Sequence, residues 1–94
     1  MDMSQIIRCR FVFHGSVQGV GFRYVSQFAA NEYGATGWVR NEYDDTVSME
    51  LQGTRTQIEQ VLITLENSRY ISISQADRRT IPVDPKEKRF RIRY

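Results

Sequence analysis

Gly15-Ser16-Val17-Gln18-Gly19-Val20-Gly21-Phe22-Arg23 is the stretch of this sequence whose residue types are best suited to chemistry. Three glycines within seven residues let the backbone curl without obstruction from Cβ atoms. A loop of this kind between a strand and a helix start aims several backbone N–H groups at one point, where the helix adds partial positive charge. Arg23 falls in the first helical turn and brings a permanent, planar charge able to hold a phosphate through two hydrogen bonds. No Gly-Lys-Ser/Thr follows, so this is not a Walker A loop, and the spacing is not Gly-x-Gly-x-x-Gly either. On spacing alone two readings stand side by side: a glycine-rich turn with a surface arginine, and an anion cradle.

Gly37-Trp38-Val39-Arg40-Asn41 is the second candidate. An asparagine before a turn commonly makes a local hydrogen bond. Its carboxamide also donates and accepts, which suits it to holding a water molecule. Trp38 reads as sheet packing and Arg40 as a solvated strand charge. The lone His14, beside the glycine loop, reads as a surface strand-end residue rather than a base. Cys9 is expected to face the core as a structural residue.

The elements that must position these residues follow from periodicity. Ile7, Cys9, Phe11 and Phe13 alternate with Arg8, Arg10 and Val12, the period of a half-buried strand. From Phe22 the period becomes helical, with Phe22, Val25, Phe28 or Ala29, and Tyr33 on one face and Gly34 placed to end the helix. Residues 35–41 and 46–52 read as strands joined by a tight turn at Glu42–Asp45, the second ended by Gly53. Thr54 with Gln57 and Thr56 with Glu59 are overlapping capping-box candidates. Ile58, Val61, Leu62 and Leu65 then give a helical stripe. Tyr70–Arg79 reads as a strand, Pro82 and Pro85 punctuate a loop, and Phe90, Ile92 and Tyr94 alternate in a short final strand. The order is β-α-β-β-α-β plus one strand. This predicts an α+β, ferredoxin-like sandwich: an antiparallel sheet with two helices on one face and an extra C-terminal strand.

Composition narrows the chemistry. The chain has 94 residues, 40% apolar and 26% charged, which suits one globular domain rather than a disordered segment. A single Cys excludes an intramolecular disulfide framework and a Cys-based zinc site, and one His makes a transition-metal site unexpected. Charge is uneven. Residues 1–47 carry 4 Lys/Arg against 5 Asp/Glu, and residues 48–94 carry 9 against 6, within a net charge of +2. Arg78, Arg79, Lys86, Lys88, Arg89, Arg91 and Arg93 supply most of that excess, as a solvated face or an attraction for anions. Residues 1–5 hold no apolar signal segment and no apolar run approaches a membrane span, so a cytoplasmic protein is expected.

Together these residues resemble the acylphosphatase family. Gly15–Arg23 matches its signature Gly-x-Val-Gln-Gly-Val-Gly-Phe-Arg at every fixed position, and Gly37–Asn41, with Val47 and Gly53 downstream, matches its second signature. The resemblance covers essentially the whole chain, as a single acylphosphatase-like domain over residues 1–94. It implies hydrolysis of the carboxyl–phosphate bond of a small-molecule acyl phosphate to a carboxylate and inorganic phosphate, with no metal or cofactor. It implies that Arg23 is catalytic and binds the phosphoryl group together with loop N–H groups of Ser16, Val17, Gln18, Gly19 and Val20. Asn41 matches the family's catalytic asparagine, which positions the attacking water. A monomer without nucleic-acid or membrane partners is expected.

One departure from the family pattern stands out. The family has Asp-Gly in the hairpin after the asparagine, and here it is Asp44-Asp45. A left-handed Asp45 is expected to lower stability more than activity. Two other functions fit the sequence less well. An RNA-recognition module shares the element order but stacks bases on strand aromatics, and Thr46–Gln52 contains none. A non-catalytic acyl- or carbamoyl-phosphate binding domain of the kind that begins large carbamoyl-transferring maturation proteins would be joined to zinc-finger cysteines that this sequence lacks, so the free-standing enzyme is the expectation.

Overall fold

In the computed structural model, which describes residues 5–94, the alternation that opens the chain becomes the central strand β1 (Ile7–Ser16). The helix α1 (Phe22–Tyr33), the hairpin β2 (Thr36–Asn41) and β3 (Val47–Gly53), the helix α2 (Arg55–Glu66), and the strands β4 (Ser72–Ile81) and β5 (Phe90–Arg93) follow. The sheet runs β4-β1-β3-β2-β5. The first four strands pair antiparallel, as expected. The additional strand β5 lies parallel to β2, so the complete sheet is mixed. The described chain contains no helix long and apolar enough to cross a membrane.

Alternation builds the core. Cys9, Phe11 and Phe13 of β1 and Val47, Met49 and Leu51 of β3 are all buried on the face that carries the helices. Phe11 stacks on Phe13, and Phe13 meets Phe22 with ring centroids 5.1 Å apart, which ties the first turn of α1 to the sheet. In α2, Ile58, Val61 and Leu65 are buried and Leu62 packs against them. Of the two capping-box candidates Thr54 is the one used. Its hydroxyl accepts from the Gln57 N–H and the Gln57 side chain accepts from the Thr54 N–H.

α1 departs from the expected stripe. It buries Phe22, Ser26, Ala29 and Ala30, whereas Phe28 is 68% exposed and Tyr33 also faces outward. Small side chains let α1 approach the sheet and α2 closely, and Ser26 satisfies its buried hydroxyl by donating to the Phe22 carbonyl at 2.7 Å. Beyond its first turn, where Phe22 is buried, small size admits Ser26, Ala29 and Ala30 to the inner face. β4 begins two residues later than expected, after Ile71 has anchored the turn in the core. It is an edge strand with few buried positions. Its Arg78 covers the Phe11 ring at 5.3 Å and pairs with Glu59 of α2, closing the core edge.

The opposite face of the sheet contains a buried charge that periodicity does not predict. Arg8 is 5% exposed and donates to Glu50, Gln52 and, through two nitrogens, Glu87. Burial pushes the Glu50 carboxyl up, but hydrogen bonds from Arg8 and Arg10 outweigh it and hold the group below its ordinary 4.5. Removing one member of such a network leaves uncompensated carboxylates, so Arg8→Met is expected to destabilise the fold by about 3 kcal/mol at neutral pH. A carboxyl depressed by folding adds stability that is present above its unfolded value and lost as pH falls through the folded one. The wild type's advantage should therefore narrow below pH 4.5. Denaturant titrations of both proteins across that range check it. An Arg8→Met variant as stable as wild type at neutral pH would overturn this role.

Candidate active site

Near the end of β1 the ladder with β4 slips between His14 and Gly15, and after Ser16 the chain leaves the sheet. Gly19 and Gly21 then turn through left-handed conformations, φ 73° and 83°, that Cβ-bearing residues avoid. Gly21 is the N-cap of α1. No side chain caps this end and no acidic residue occupies its first turn, so neither competes for its N–H groups. Val17 is fully buried and anchors the loop from beneath. The loop is held from the side by Gln18, whose amide donates to the carbonyls of Glu42 and Thr46 at 2.8 Å each. This staple joins the glycine loop to the two ends of the β2–β3 hairpin, and thus to Asn41.

The result is a hollow of about 150 Å³ lined by Val17, Gly19, Gly21, Phe22, Arg23, Tyr24 and Asn41. Arg23 is half-buried and its guanidinium lies 5.0 Å from the centroid of the Tyr94 ring. None of the ion pairs among the described residues involves it. Asn41 ends β2, on the same side as buried Val39. Its Oδ1 is buried with no hydrogen-bond partner among the described residues. A buried acceptor without a donor costs about 1–3 kcal/mol, so this atom is primed to take a hydrogen bond.

Of the residues expected at the site, Val17, Gly19, Arg23 and Asn41 meet at this hollow. Ser16 does not line it but pairs with Ser72 at the end of the sheet, while Gln18 acts through its side chain as the staple and Val20 packs against the core. Gly21, Phe22 and Tyr24 complete the lining. Their place directly beside Arg23 at the helix start was the available signal. Nothing in the sequence indicated where the Gln18 amide points. His14 lies outside the hollow and meets Asp77 across the edge of the sheet at 2.9 Å. Cys9 is buried, as expected. Trp38 and Arg40 lie on the opposite sheet face. Arg40 is only partly solvated, pairing with Glu42 at 3.1 Å and thereby lowering that carboxyl's pKa. No group of three His, Cys, Asp or Glu arranged to hold a metal occurs among the described residues.

The hairpin beside Asn41 retains the left-handed turn: Asp45 has φ 70°. Asp44 braces it by accepting from both the N–H and the hydroxyl of Thr46, at 3.1 and 2.6 Å. Relieving the strain at Asp45 should outweigh the added freedom of glycine in the unfolded chain. Asp45→Gly is expected to raise stability by about 0.5 kcal/mol, or about 2–4 °C in Tm, with unchanged turnover. Calorimetry and initial rates check this. A sharp rise in turnover at constant Tm would show instead that the turn misplaces Asn41.

Comparison with known proteins agrees with this architecture. The Acylphosphatase family model matches residues 9–92. An acylphosphatase of Geobacillus thermodenitrificans is 41% identical over 88 residues, covering 93% of this chain and 94% of the relative. The crystal structure of acylphosphatase from Bacillus subtilis superposes with a TM-score of 0.85 at 28% identity, covering 94% of this chain and 99% of that one. Full-length HypF, solved in a phosphate- and nucleotide-bound form, contains a region similar to 99% of this chain at TM-score 0.86 and 26% identity, amounting to 12% of its own length. Signature loop, fold and sequence likeness thus coincide over nearly the whole length, and the chain belongs to the acylphosphatase family.

Proposed function

We propose that this protein hydrolyses acyl phosphates to a carboxylate and inorganic phosphate at the hollow between the glycine loop, Arg23 and Asn41. The observation that carries the reading is the unpartnered Oδ1 of Asn41 in the same hollow as an arginine free of carboxylate partners. Loop N–H groups at the hollow, those of Val17 and Gly19 among them, hold the phosphoryl oxygens together with the Arg23 guanidinium. Asn41 Oδ1 accepts a hydrogen bond from a water molecule and aims its oxygen at phosphorus. The water oxygen forms the new P–O bond as the bond from phosphorus to the acyl oxygen breaks. The carboxylate leaves with the electron pair, and the water proton passes to phosphate or solvent.

A carboxylate is already a good leaving group, so neither a strong base nor a metal ion is obligatory. Through a loose transition state, positioning and charge stabilisation dominate catalysis. The first test is hydrolysis of an aryl acyl phosphate by the intact chain with a chelator present. Turnover unaffected by chelator and inhibited competitively by inorganic phosphate is expected. Loss of turnover with chelator would overturn the metal-free mechanism.

The likeness to a region of HypF favours a second reading, retention of an acyl or carbamoyl phosphate without hydrolysis. That reading predicts phosphate-dependent thermal stabilisation with no product.

A further inference from the structure

The sheet face turned away from the helices carries a basic surface that the hydrolytic site does not use. The loop after β4 is fixed over one end of this face. Gln52 brackets the backbone of Asp84, donating to its carbonyl at 2.9 Å and accepting from its N–H at 2.8 Å. Arg8 clamps Glu87 at 2.8 and 3.1 Å. These contacts turn Glu87 inward and engage Glu50, leaving Lys86, Lys88 and Arg89 of the loop and Arg91 and Arg93 of β5 outside any ion pair among the described residues. At the centre lies Trp38, only 6% exposed beneath three guanidiniums: Arg93 at 4.6 Å, Arg10 at 5.3 Å and Arg40 at 5.5 Å. Arg40 Nε is buried with no acceptor.

Two adjoining hollows of about 550 Å³ each share Trp38, Arg93, Asp84 and Glu87. Their walls hold eight Lys/Arg against three Asp/Glu, in a chain whose net charge is +2. The walls therefore carry +5, and the rest of the molecule is net acidic. Arg10 and Arg40 pair with Glu50 and Glu42, so Arg93 is the guanidinium over this ring left without a carboxylate among the described residues, and guanidinium forks match phosphate oxygens.

We propose that this face binds a ligand bearing several contiguous phosphates, laid across Trp38 with Arg93 and the free Nε of Arg40 as its central contacts. Two adjoining hollows suit a chain of phosphates better than a single one. Phosphates supply the contacts over Trp38, because the indole is covered and offers no free face for base stacking of the kind single-stranded nucleic-acid sites use. A free oligophosphate and the phosphate tail of a nucleotide share this chemistry. The site is independent of the hydrolytic reading, since β2 sends Arg40 and Asn41 to opposite faces.

Trp38 is the single tryptophan, so its emission reports occupancy directly. The test titrates the intact protein with tripolyphosphate, adenosine triphosphate and a single-stranded oligonucleotide, following fluorescence and binding heat at about 50 and 200 mM salt. A saturable change with tripolyphosphate is expected. It should weaken at higher salt, weaken at least about tenfold in Arg93→Glu, and survive in Arg23→Ala. Lys88→Glu, at an exposed loop position lining the same hollow, repeats the test should Arg93→Glu misfold. Equal affinity for the two small ligands assigns a free oligophosphate, and tighter binding of adenosine triphosphate assigns a nucleotide. Absence of both signals, loss of binding in Arg23→Ala, or preference for the oligonucleotide would overturn the proposal.

Discussion

Arg23→Ala is expected to lower kcat/KM for acyl phosphate hydrolysis by about 10³-fold or more while leaving the fold intact. The guanidinium is the one cation lining the hollow, so its loss removes the formal charge opposing that of the phosphoryl group. Loop N–H groups remain, and they supply partial charges only. The structural loss is small by comparison. Among the described residues Arg23 makes no ion pair, and its contact with Tyr94 is worth about 0.5–1 kcal/mol at an exposed ring. Steady-state rates with far-ultraviolet circular dichroism separate the two effects. Arg23→Lys keeps the charge without the planar fork and should recover only part of the loss. A folded Arg23→Ala variant retaining near wild-type kcat/KM would remove Arg23 from the mechanism.

Asn41→Ala is expected to lower kcat by about 10²–10³-fold with little change in KM. The asparagine in this reading holds the water and not the phosphoryl group, so ground-state binding should survive its removal. Stability gives an independent signature. The buried Oδ1 has no partner, so truncation removes an unsatisfied acceptor and Tm should hold or rise. A residue that merely shaped the hairpin would show a falling Tm instead. A large rise in KM with kcat unchanged would reassign Asn41 to phosphoryl binding. The Gln18 staple fixes the loop against the carbonyls of Glu42 and Thr46, and this is why Arg23 and Asn41 keep a common geometry although they come from different elements.

Local rules reached far into this fold. β1, β3 and α2 were legible because each buries one regular stripe, and a regular stripe appears in the sequence as a period of two or of three to four. The start of α2 was legible because its cap closes over four consecutive residues. β4 was placed two residues early, since an edge strand with so few buried positions leaves little alternation to read. In α1 the period left Phe28 or Ala29 open and placed Tyr33 inward; Ala29 is the buried one and Tyr33 faces outward, because how close two elements can come depends on the partner's surface as well as on the helix itself.

The same division applies to function. Gly15–Arg23 and Gly37–Asn41 carried the resemblance to the family and named the residues proposed for a phosphoryl site, and the periodicity around them carried the fold, because glycine conformations, a helix start and a strand end are properties of short stretches. Charge excess in the second half of the chain was equally plain in the composition. Only the tertiary structure decided what faces what: the unpartnered Asn41 oxygen, the Gln18 staple, and Trp38 beneath three guanidiniums. Arg8 is the extreme case. It reads as an outward strand charge, and it is buried because Glu87, 79 positions away, folds back onto it. No periodicity encodes such a pair. A buried charge is stable only with its partners in place, and those partners are brought together by the closing of the sheet.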